Sequence, residues 1–372
     1  MNFDFTADQY ELRDSVRAYL DDHWTTASLR AAMPGTGLPT DLWNGLAEIG
    51  VFTVLVPEAQ DGLGLGLTDA SLLFECFGET LTPGLVTDTM LAGDVIARFG
   101  SEAQRAELLP AIAQGRLKVA MAIGDSPVSY DPASISTSAI SAGNGWVLDG
   151  HKPIVPYGQL ADRVLVAARI GDQDLAFFLL DPVSPGVTIT PHVLVDPNFR
   201  ACNLDLAGVK LPGEALVGSG TDGAAVVHAT RTTAAAASAQ LTGIAGRALA
   251  MTLDYAKQRK QFGRTIGSFQ AIKHKLADMM VSYETSRSAT YYAHWALAYG
   301  DAGQTAAVSL AKAYAGDMAR ALANESVHIH GGIGFTWEYD LHFFLKRAKV
   351  LEYSAGDASW HREQYAHIML DG

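Results

Sequence analysis

The chain has 372 residues, of which 48% are hydrophobic and 18% are charged, and its formal net charge at pH 7 is −13. This length and composition predict a soluble globular protein with a large buried core in two or three domains. An acidic chain disfavours non-specific binding to nucleic acid, which requires clusters of Lys and Arg, although a local basic pocket for an anionic cofactor stays compatible with it.

Cysteine content and hydropathy indicate the compartment. Cys76 and Cys202 give neither a disulfide framework nor the spacing of metal ligands, so we expect two reduced, buried thiols and no metal site. The N-terminus, with Asn2-Phe3-Asp4, has no basic region followed by an apolar one, and no apolar run reaches the length of about 18 residues that a membrane span needs. The sequence therefore predicts a cytoplasmic protein without a membrane segment.

The first third of the sequence predicts helices. Thr6 and Gln9 have the spacing of a capping box, and apolar residues then recur at helical intervals. Three further segments repeat this period: Asp41–Gly50, Thr68–Thr80 and Met90–Phe99. No strand precedes the GxGxG run at 62–66, so we interpret it as a loop between helices and not as a phosphate loop. Residues 1–117 are predicted to form an N-terminal helical domain.

The middle of the chain predicts strands. Asn-Gly and Asp-Gly turn dipeptides occur at 144–145 and 149–150. The β-rich runs Arg163–Arg169 and Leu175–Leu180 are separated by a short polar turn, which favours a hairpin. We expect residues 118–221 to form a compact antiparallel β-domain.

Long helices are predicted for the last third. Ala234–Gln258 is rich in alanine and free of proline, a second helix carries an apolar stripe from Ile272 to Tyr283, and Gln304–His330 predicts a third. The run Ala234–Ala237 favours tight helix packing. The fold class is thus α+β, with a four-helix bundle over residues 222–372.

Four sets of motifs in chain order resemble those of the acyl-CoA dehydrogenase family, and together they span most of the sequence. They are Leu46–Gly50 followed by Val56-Pro57-Glu58 and Gly62-Leu63-Gly64; Arg259–Gly263 with Ile266, Phe269-Gln270 and Leu276–Met279; His330–Phe335; and Lys346–Lys349. The resemblance implies a helical, β and helical-bundle architecture and an FAD-dependent enzyme that acts on an acyl-CoA thioester.

In this family the two C-terminal segments hold the ADP half of an FAD bound mainly by a neighbouring subunit. The resemblance assigns these contacts to Arg259, Phe262, Gln270, His328, Gly331, Gly332 and Gly334. The chemistry is suitable, because a guanidinium binds pyrophosphate, an aromatic ring packs on adenine, and glycine lets the backbone approach closely. The alternatives are a core aromatic at Phe262, a helix end at the glycines and, since the family usually has Gln there, an ordinary helix histidine at His328.

The base that removes the α-proton is missing from its family positions. The family carries Glu just before a Gly-Thr pair, where this chain has Ala355, then Gly356 and Asp357. A minority of the family places the base at the position of Thr233, and Arg231–Gln240 contains no Asp or Glu. Catalysis needs a positioned carboxylate, and the nearest weak candidates are Glu352 and Asp357.

The flavin-ring contacts of the family are also replaced. Ala122–Ser129 stands where the family has a Glu-Pro-Gly-x-Gly-Ser-Asp-like loop, and Pro153-Ile154-Val155-Pro156 stands where it has a hydroxyl that contacts the flavin. Proline has no backbone N–H, and Ile and Val have no hydroxyl.

The ending Gly356–Arg362 looks like a bacterial subgroup in which two related subunits share one intact active site. The resemblance then implies one subunit of a heterotetramer that desaturates a bulky, possibly steroid-derived, acyl-CoA, with an electron-transfer flavoprotein as acceptor. Two alternatives stay open, namely a homomeric dehydrogenase with a relocated base and a non-enzymatic scaffold that has lost FAD.

Overall fold

The computed structural model describes residues 5–32, 37–127 and 130–370. The predicted order of helices, strands and helices is confirmed. The described residues contain these helices: α1 Ala7–His23, α2 Thr26–Ala32, α3 Thr40–Glu48, α4 Leu67–Thr80, α5 Leu85–Phe99, α6 Glu102–Ala113, α7 Ala224–Gln258, α8 Gln270–Ala298, α9 Gln304–His330, α10 Leu341–Tyr353 and α11 Ala358–Leu370. They contain these strands: β1 Val119–Ala122, β2 Ser138–Ala142, β3 Gly145–Pro156, β4 Arg163–Ile170, β5 Asp174–Leu180, β6 Val187–Pro191, β7 Ala201–Pro212, β8 Lys260–Gln261 and β9 Arg264–Thr265.

The chain divides into two compact units. The first comprises Met1–Thr26, Leu67–Thr82 and Ala234–Gly372, and the second comprises Ala27–Gly66 and Pro83–Thr233. The three-domain division at 117/118 and 221/222 stays a prediction.

The first unit is a helical bundle in which α8, α10 and α11 pack on α9. Helix α4 crosses α7 closely, since a Cβ added at Gly243 would lie 1.9 Å from the carbonyl oxygen of Glu75. The expected tight packing of Ala234–Ala237 is confirmed by the burial of all four side chains. The predicted capping box at the start of α1 is also present, with Thr6 and Gln9 bonded reciprocally.

The second unit contains a seven-stranded sheet in the order β1-β4-β2-β3-β7-β6, with β5 paired to β4. The predicted β4–β5 hairpin is confirmed. Most neighbouring strands are antiparallel, as expected, but β4 runs parallel to both β1 and β2. The purely antiparallel expectation is therefore corrected, because the direction of a strand pair depends on connections that a local pattern does not reveal.

Both cysteines are free and buried, as predicted. Across the described ranges, no helix is long and apolar enough to cross a membrane. The same residues include no cluster of three His, Cys, Asp or Glu side chains that could hold a metal ion.

Candidate functional site

A hairpin at the end of α7 presents the first two predicted site residues to solvent. Strands β8 and β9 pair antiparallel through a two-residue turn, in which Phe262 has φ 52° and Gly263 has φ 78°. The turn leaves 91% of Phe262 exposed, which excludes the alternative of a core aromatic. Arg259 is also exposed and makes no ion pair within the described part of the chain. The ring of Phe262 contacts that of Phe269 edge to face, with centroids 6.2 Å apart, and the rest of its surface is exposed.

The glycine motif follows directly from the end of α9. Gly331 caps the helix with φ 66° and ψ −142°, and a Cβ added at Gly331 or Gly332 would meet no atom within 4 Å. Gly334 is tighter, since its added Cβ would lie 3.0 Å from the Cβ of His330. The structure therefore confirms that Gly331 ends α9, and it leaves the backbone of Gly331 and Gly332 exposed; the contact of these residues with a cofactor stays a prediction.

Tyr255 links the hairpin to the glycine motif. Its carbonyl oxygen accepts a 2.8 Å hydrogen bond from the backbone N–H of Arg259, and its hydroxyl donates to the carbonyl of His330 at 3.3 Å. Its ring stacks on His330 with centroids 4.3 Å apart. Burial lowers the pKa of His330, whose ring bonds to the Ser326 carbonyl and the Tyr339 hydroxyl. His330 is thus a packing residue.

The structure places the other two predicted contacts on helices of the first unit. Gln270 is the first residue of α8, and His328 lies in the last turn of α9; both are exposed. The motif spacing in the sequence predicts that Gln270 and His328 belong to the site. It does not predict Tyr255, because one tyrosine in a long helix resembles an ordinary core residue.

The turn after α10 has a strained backbone at Ala355, which is the predicted position of the family's base. Ala355 has φ 54° and Gly356 has φ 102°. The ammonium of Lys312 donates to the carbonyls of Glu352 and Gly356 at 3.0 and 2.6 Å, and Nε2 of His361 lies 2.9 Å from the carbonyl oxygen of Ala355. Three backbone carbonyls of this turn are therefore held by two buried side chains.

Lys312 and His361 hold the turn without offering an accessible base. Burial lowers the pKa of Lys312 to about 7, and burial together with the charge of Lys312 lowers the pKa of His361 to about 3. Lys312 is 0% exposed and His361 is 2% exposed. The sequence analysis missed both residues, although a lysine flanked by alanines within α9 is a signal for a buried cation.

Both weak carboxylate candidates for the base already bind other groups of the chain. Glu352 is buried and receives Arg320 at 2.8 Å and Lys349 at 2.9 Å. Asp357 accepts the backbone N–H of Trp360 at 2.8 Å at the start of α11. Thr233 on α7 has a buried hydroxyl with no hydrogen-bond partner among the described residues, and it has no carboxylate.

The replaced flavin-ring segment forms the end of β3 in the second unit. Pairing with β7 shifts register between Lys152 and Val155, so Pro153 and Ile154 lie in an irregularity, and Pro156 pairs with Ala201. Lys152 is fully buried and forms an ion pair with Asp125, which also accepts the backbone N–H of Ser136 at 2.6 Å. Residues Pro153–Pro156 therefore offer no side-chain hydroxyl to a flavin. In the predicted loop Ala122–Ser129, Val128 and Ser129 lie outside the described residues.

The comparisons with known proteins all point to the acyl-CoA dehydrogenase family. The models for the acyl-CoA dehydrogenase N-terminal domain and C-terminal domain match residues 6–116 and 222–370. The acyl-CoA dehydrogenase FadE27 of Mycobacterium tuberculosis is 32% identical over 331 residues, which are 86% of this chain and 85% of that protein.

Two solved structures are similar along nearly the whole chain. A variant of the Tcur3481–Tcur3483 steroid ACAD has a TM-score of 0.90 at 31% identity, and the match covers 98% of each chain. The ChsE4–ChsE5 complex from Mycobacterium tuberculosis has a TM-score of 0.91 at 27% identity, and the match covers 100% of each.

Proposed function

Because the chain belongs to the acyl-CoA dehydrogenase family, we propose that it is the non-catalytic subunit of a heteromeric, FAD-dependent acyl-CoA dehydrogenase. A homologous subunit supplies the base, the flavin-ring pocket and the acyl site. The complex, a heterotetramer, introduces an α,β double bond into a bulky acyl-CoA and passes electrons to an electron-transfer flavoprotein.

The observation that carries this proposal is an asymmetry between the two halves of the family's site. The ADP-side residues Arg259 and Phe262 are present and exposed. Arg259 makes no ion pair among the described residues, and the ring of Phe262 contacts that of Phe269 edge to face while 91% of the residue stays exposed. The base position, by contrast, is Ala355 on a turn that keeps a strained backbone. A chain that only adds contacts to a cofactor bound by a neighbouring subunit needs the ADP-side residues but does not need a base.

The described residues fit the ADP half of FAD and do not fit its ring. Arg259 would donate to the pyrophosphate, Phe262 would pack on adenine, and the open backbone at Gly331 and Gly332 would allow close approach. Gln270 and His328 would add polar contacts, since both are exposed. When bound, FAD accepts the hydride that leaves the acyl group. This chain would orient that cofactor and would take no proton from the substrate.

A bulky, steroid-like acyl group is the substrate class that we propose. The support is the 31% identity, over nearly the whole chain, to a subunit of a steroid ACAD that is named as a pair of chains. The ChsE4–ChsE5 complex is likewise named as a pair of chains.

The two alternatives have less support. A relocated base is disfavoured because Glu352 is held by two cations and Asp357 caps α11. A scaffold without FAD is disfavoured because it would have no reason to keep an exposed phenylalanine in the left-handed region at the hairpin tip.

The test is to purify the chain alone and together with a homologous acyl-CoA dehydrogenase subunit of the same organism, and to record absorbance spectra and dehydrogenase activity. We expect a colourless chain alone and a yellow, active complex. A yellow, active homomer would establish the self-sufficient enzyme instead, and a colourless, inactive complex would establish the scaffold.

A further inference from the structure

The last turn of α7 and the β8–β9 hairpin are joined by several close backbone contacts. The backbone N–H of Arg259 donates to the carbonyl of Tyr255 at 2.8 Å, and that of Ile266 donates to the carbonyl of Arg259, also at 2.8 Å. A Cβ added at Gly267 would lie 2.8 Å from the carbonyl oxygen of Ala256, so the segment that leaves the hairpin also lies against α7. The position of Arg259 is therefore set by the last turn of α7, which contains Tyr255.

The glycine motif is connected in a similar way to the last turn of α9. The backbone N–H of Gly331 donates to the carbonyl of His328, and a Cβ added at Gly334 would lie 3.0 Å from the Cβ of His330. His330 is the final residue of α9, and its side chain is buried. The position of the open backbone at Gly331 and Gly332 therefore depends on how His330 is held.

The side chain of Tyr255 connects the end of α7 to the end of α9. Its ring stacks on His330 at an interplanar angle of 24°, and its hydroxyl donates to the backbone carbonyl of His330 at 3.3 Å. Nδ1 of His330 donates to the carbonyl of Ser326, which can only accept, so Nε2 is free to accept the hydroxyl of Tyr339 at 3.0 Å. The ring of Tyr339 also meets that of Tyr255 edge to face, with centroids 6.4 Å apart. Three aromatic rings thus hold the two helix ends at one spacing.

We propose that Tyr255 is a positioning residue, which fixes the distance between Arg259 and the open backbone at Gly331 and Gly332. The role rests on the proposed function, in which both groups contact the ADP half of one FAD. Among the described residues Arg259 makes no ion pair, so no charged neighbour there directs its side chain. Two contacts to one ligand bind best when their spacing is set beforehand, because ordering a mobile segment on binding costs free energy. Tyr255 supplies that order before the cofactor binds.

The experiment measures the Kd of FAD for the assembled complex by flavin fluorescence, with variants of this chain. Tyr255→Phe keeps the stacked ring and loses the hydroxyl, and we expect it to raise the Kd about threefold. Tyr255→Leu loses both contacts and should raise the Kd about tenfold or more. Tyr339→Phe is the matched control, because it removes a hydroxyl that binds the side chain of His330 and not the backbone that continues into the glycine motif. It should change the Kd less than about twofold.

A double-mutant cycle with Arg259→Ala separates positioning from a general loss of stability. If Tyr255 acts through Arg259, Tyr255→Leu should raise the Kd by a factor at least about threefold smaller once the guanidinium is absent, whereas independent effects would multiply. Circular dichroism at the temperature of the titration establishes that each variant is folded. If Tyr255→Leu does not fold, Tyr255→Phe takes its place in the same cycle, since it keeps the packed ring.

Three results would overturn the positioning role of Tyr255. They are an unchanged Kd in both Tyr255 variants, a loss of affinity in Tyr339→Phe as large as that in Tyr255→Phe, and effects of Tyr255→Leu and Arg259→Ala that simply multiply. In each of them the unmodified complex still binds FAD. Failure of the proposed function is different, because the unmodified complex itself would then bind no FAD. None of these measurements depends on turnover.

Discussion

Two residues of the candidate site, one in the hairpin and one at the predicted base position, have a strained backbone conformation. Phe262 and Ala355 have φ values of 52° and 54°. A left-handed conformation costs a residue with a Cβ roughly 1–2 kcal/mol. At Phe262 it holds an aromatic ring in solvent, where a ligand can cover it. At Ala355, the predicted position of the family's base, the backbone carbonyls of the turn accept hydrogen bonds from Lys312 and His361, and the side chain is a methyl group that cannot take a proton.

The first prediction concerns Arg259. In the assembled complex Arg259→Ala should lower the FAD retained after gel filtration, because charged hydrogen bonds are worth roughly 1.5–3 kcal/mol. Arg264→Ala is the control, since this arginine already lies 4.0 Å from the Phe269 ring in a cation–π contact. We expect unchanged melting temperatures for Arg259→Ala, whose side chain is exposed. Equal flavin content in the Arg259→Ala complex and the unmodified complex would remove Arg259 from the site.

The second prediction concerns Asp88 in α5. Burial without a charged neighbour raises the pKa of Asp88 to about 8, and its Oδ2 has no hydrogen-bond partner among the described residues. The folded state therefore keeps the proton that the unfolded chain loses near pH 4, so the contribution of Asp88 to stability falls as pH rises from about 4 to about 8. Asp88→Asn should raise the melting temperature by a few degrees at pH 9 and change it little at pH 4.

Asp94→Asn is the control, because its effect on stability should depend on pH in the opposite direction. Hydrogen bonds and charge from His228 and Arg98 outweigh burial and lower the pKa of Asp94. Its contribution to stability is therefore present above pH 4 and is lost as pH falls below the folded pKa. Asp94→Asn should destabilise at pH 7 and less so at pH 3. The same shift at every pH for Asp88→Asn would show that its carboxyl is not held protonated.

At the scale of elements, the crossing of α4 and α7 sets the geometry of the first unit. A Cβ added at Gly78 would lie 2.0 Å from the carbonyl oxygen of Gln240, and one at Gly243 would lie 1.9 Å from that of Glu75. Each glycine thus lets one helix backbone contact the other. The end of α7 carries the hairpin, so a change at the crossing would also displace the candidate site.

The third prediction follows from that crossing. Gly243→Ala should destabilise the protein by more than the roughly 1–3 kcal/mol of ordinary overpacking, because its Cβ would meet backbone that cannot rotate away. Gly37→Ala is the control, since a Cβ added there meets nothing within 4 Å. The midpoint of urea unfolding should fall for the first variant and stay constant for the second. Equal midpoints would show that α4 and α7 are further apart than the structure places them.

The elements also show what the sequence can and cannot predict. The bounds of α9 were predicted correctly because alanine and apolar residues repeat at helical spacing over Gln304–His330. Helix α7 begins at Ala224 and not at Ala234, since its first turns contain β-branched residues that weaken the helical signal. The burial of Lys312 was missed because it depends on carbonyl groups 40 and 44 residues away. The motif residues assigned to the ADP side can be proposed from the sequence because their spacing is local, and their role stays a prediction.

At the scale of the whole molecule, we propose that the site is one half of an assembly. Phe262, Arg259, Gly331 and Gly332 are exposed, and Arg259 makes no ion pair among the described residues. The turn at the predicted base position carries Ala355. These features agree with a chain whose site residues serve a cofactor held mainly by a neighbour.

The last prediction separates a partner's base from a relocated one in the assembled complex. General-base catalysis raises the reaction rate by about 10²–10⁴-fold, so replacing the true base should lower turnover by a factor of that size. Glu352→Gln should leave turnover per bound FAD nearly unchanged, although it should lower stability by about 1–3 kcal/mol, because Arg320 and Lys349 lose the carboxylate that they bind. Asp357→Asn should likewise keep turnover, since an amide oxygen can still cap α11. Replacing the homologous subunit's base glutamate by glutamine should abolish turnover with FAD still bound. A collapse of turnover by orders of magnitude in either variant of this chain, with flavin retained, would instead identify that carboxylate as the base and make this subunit the catalytic one.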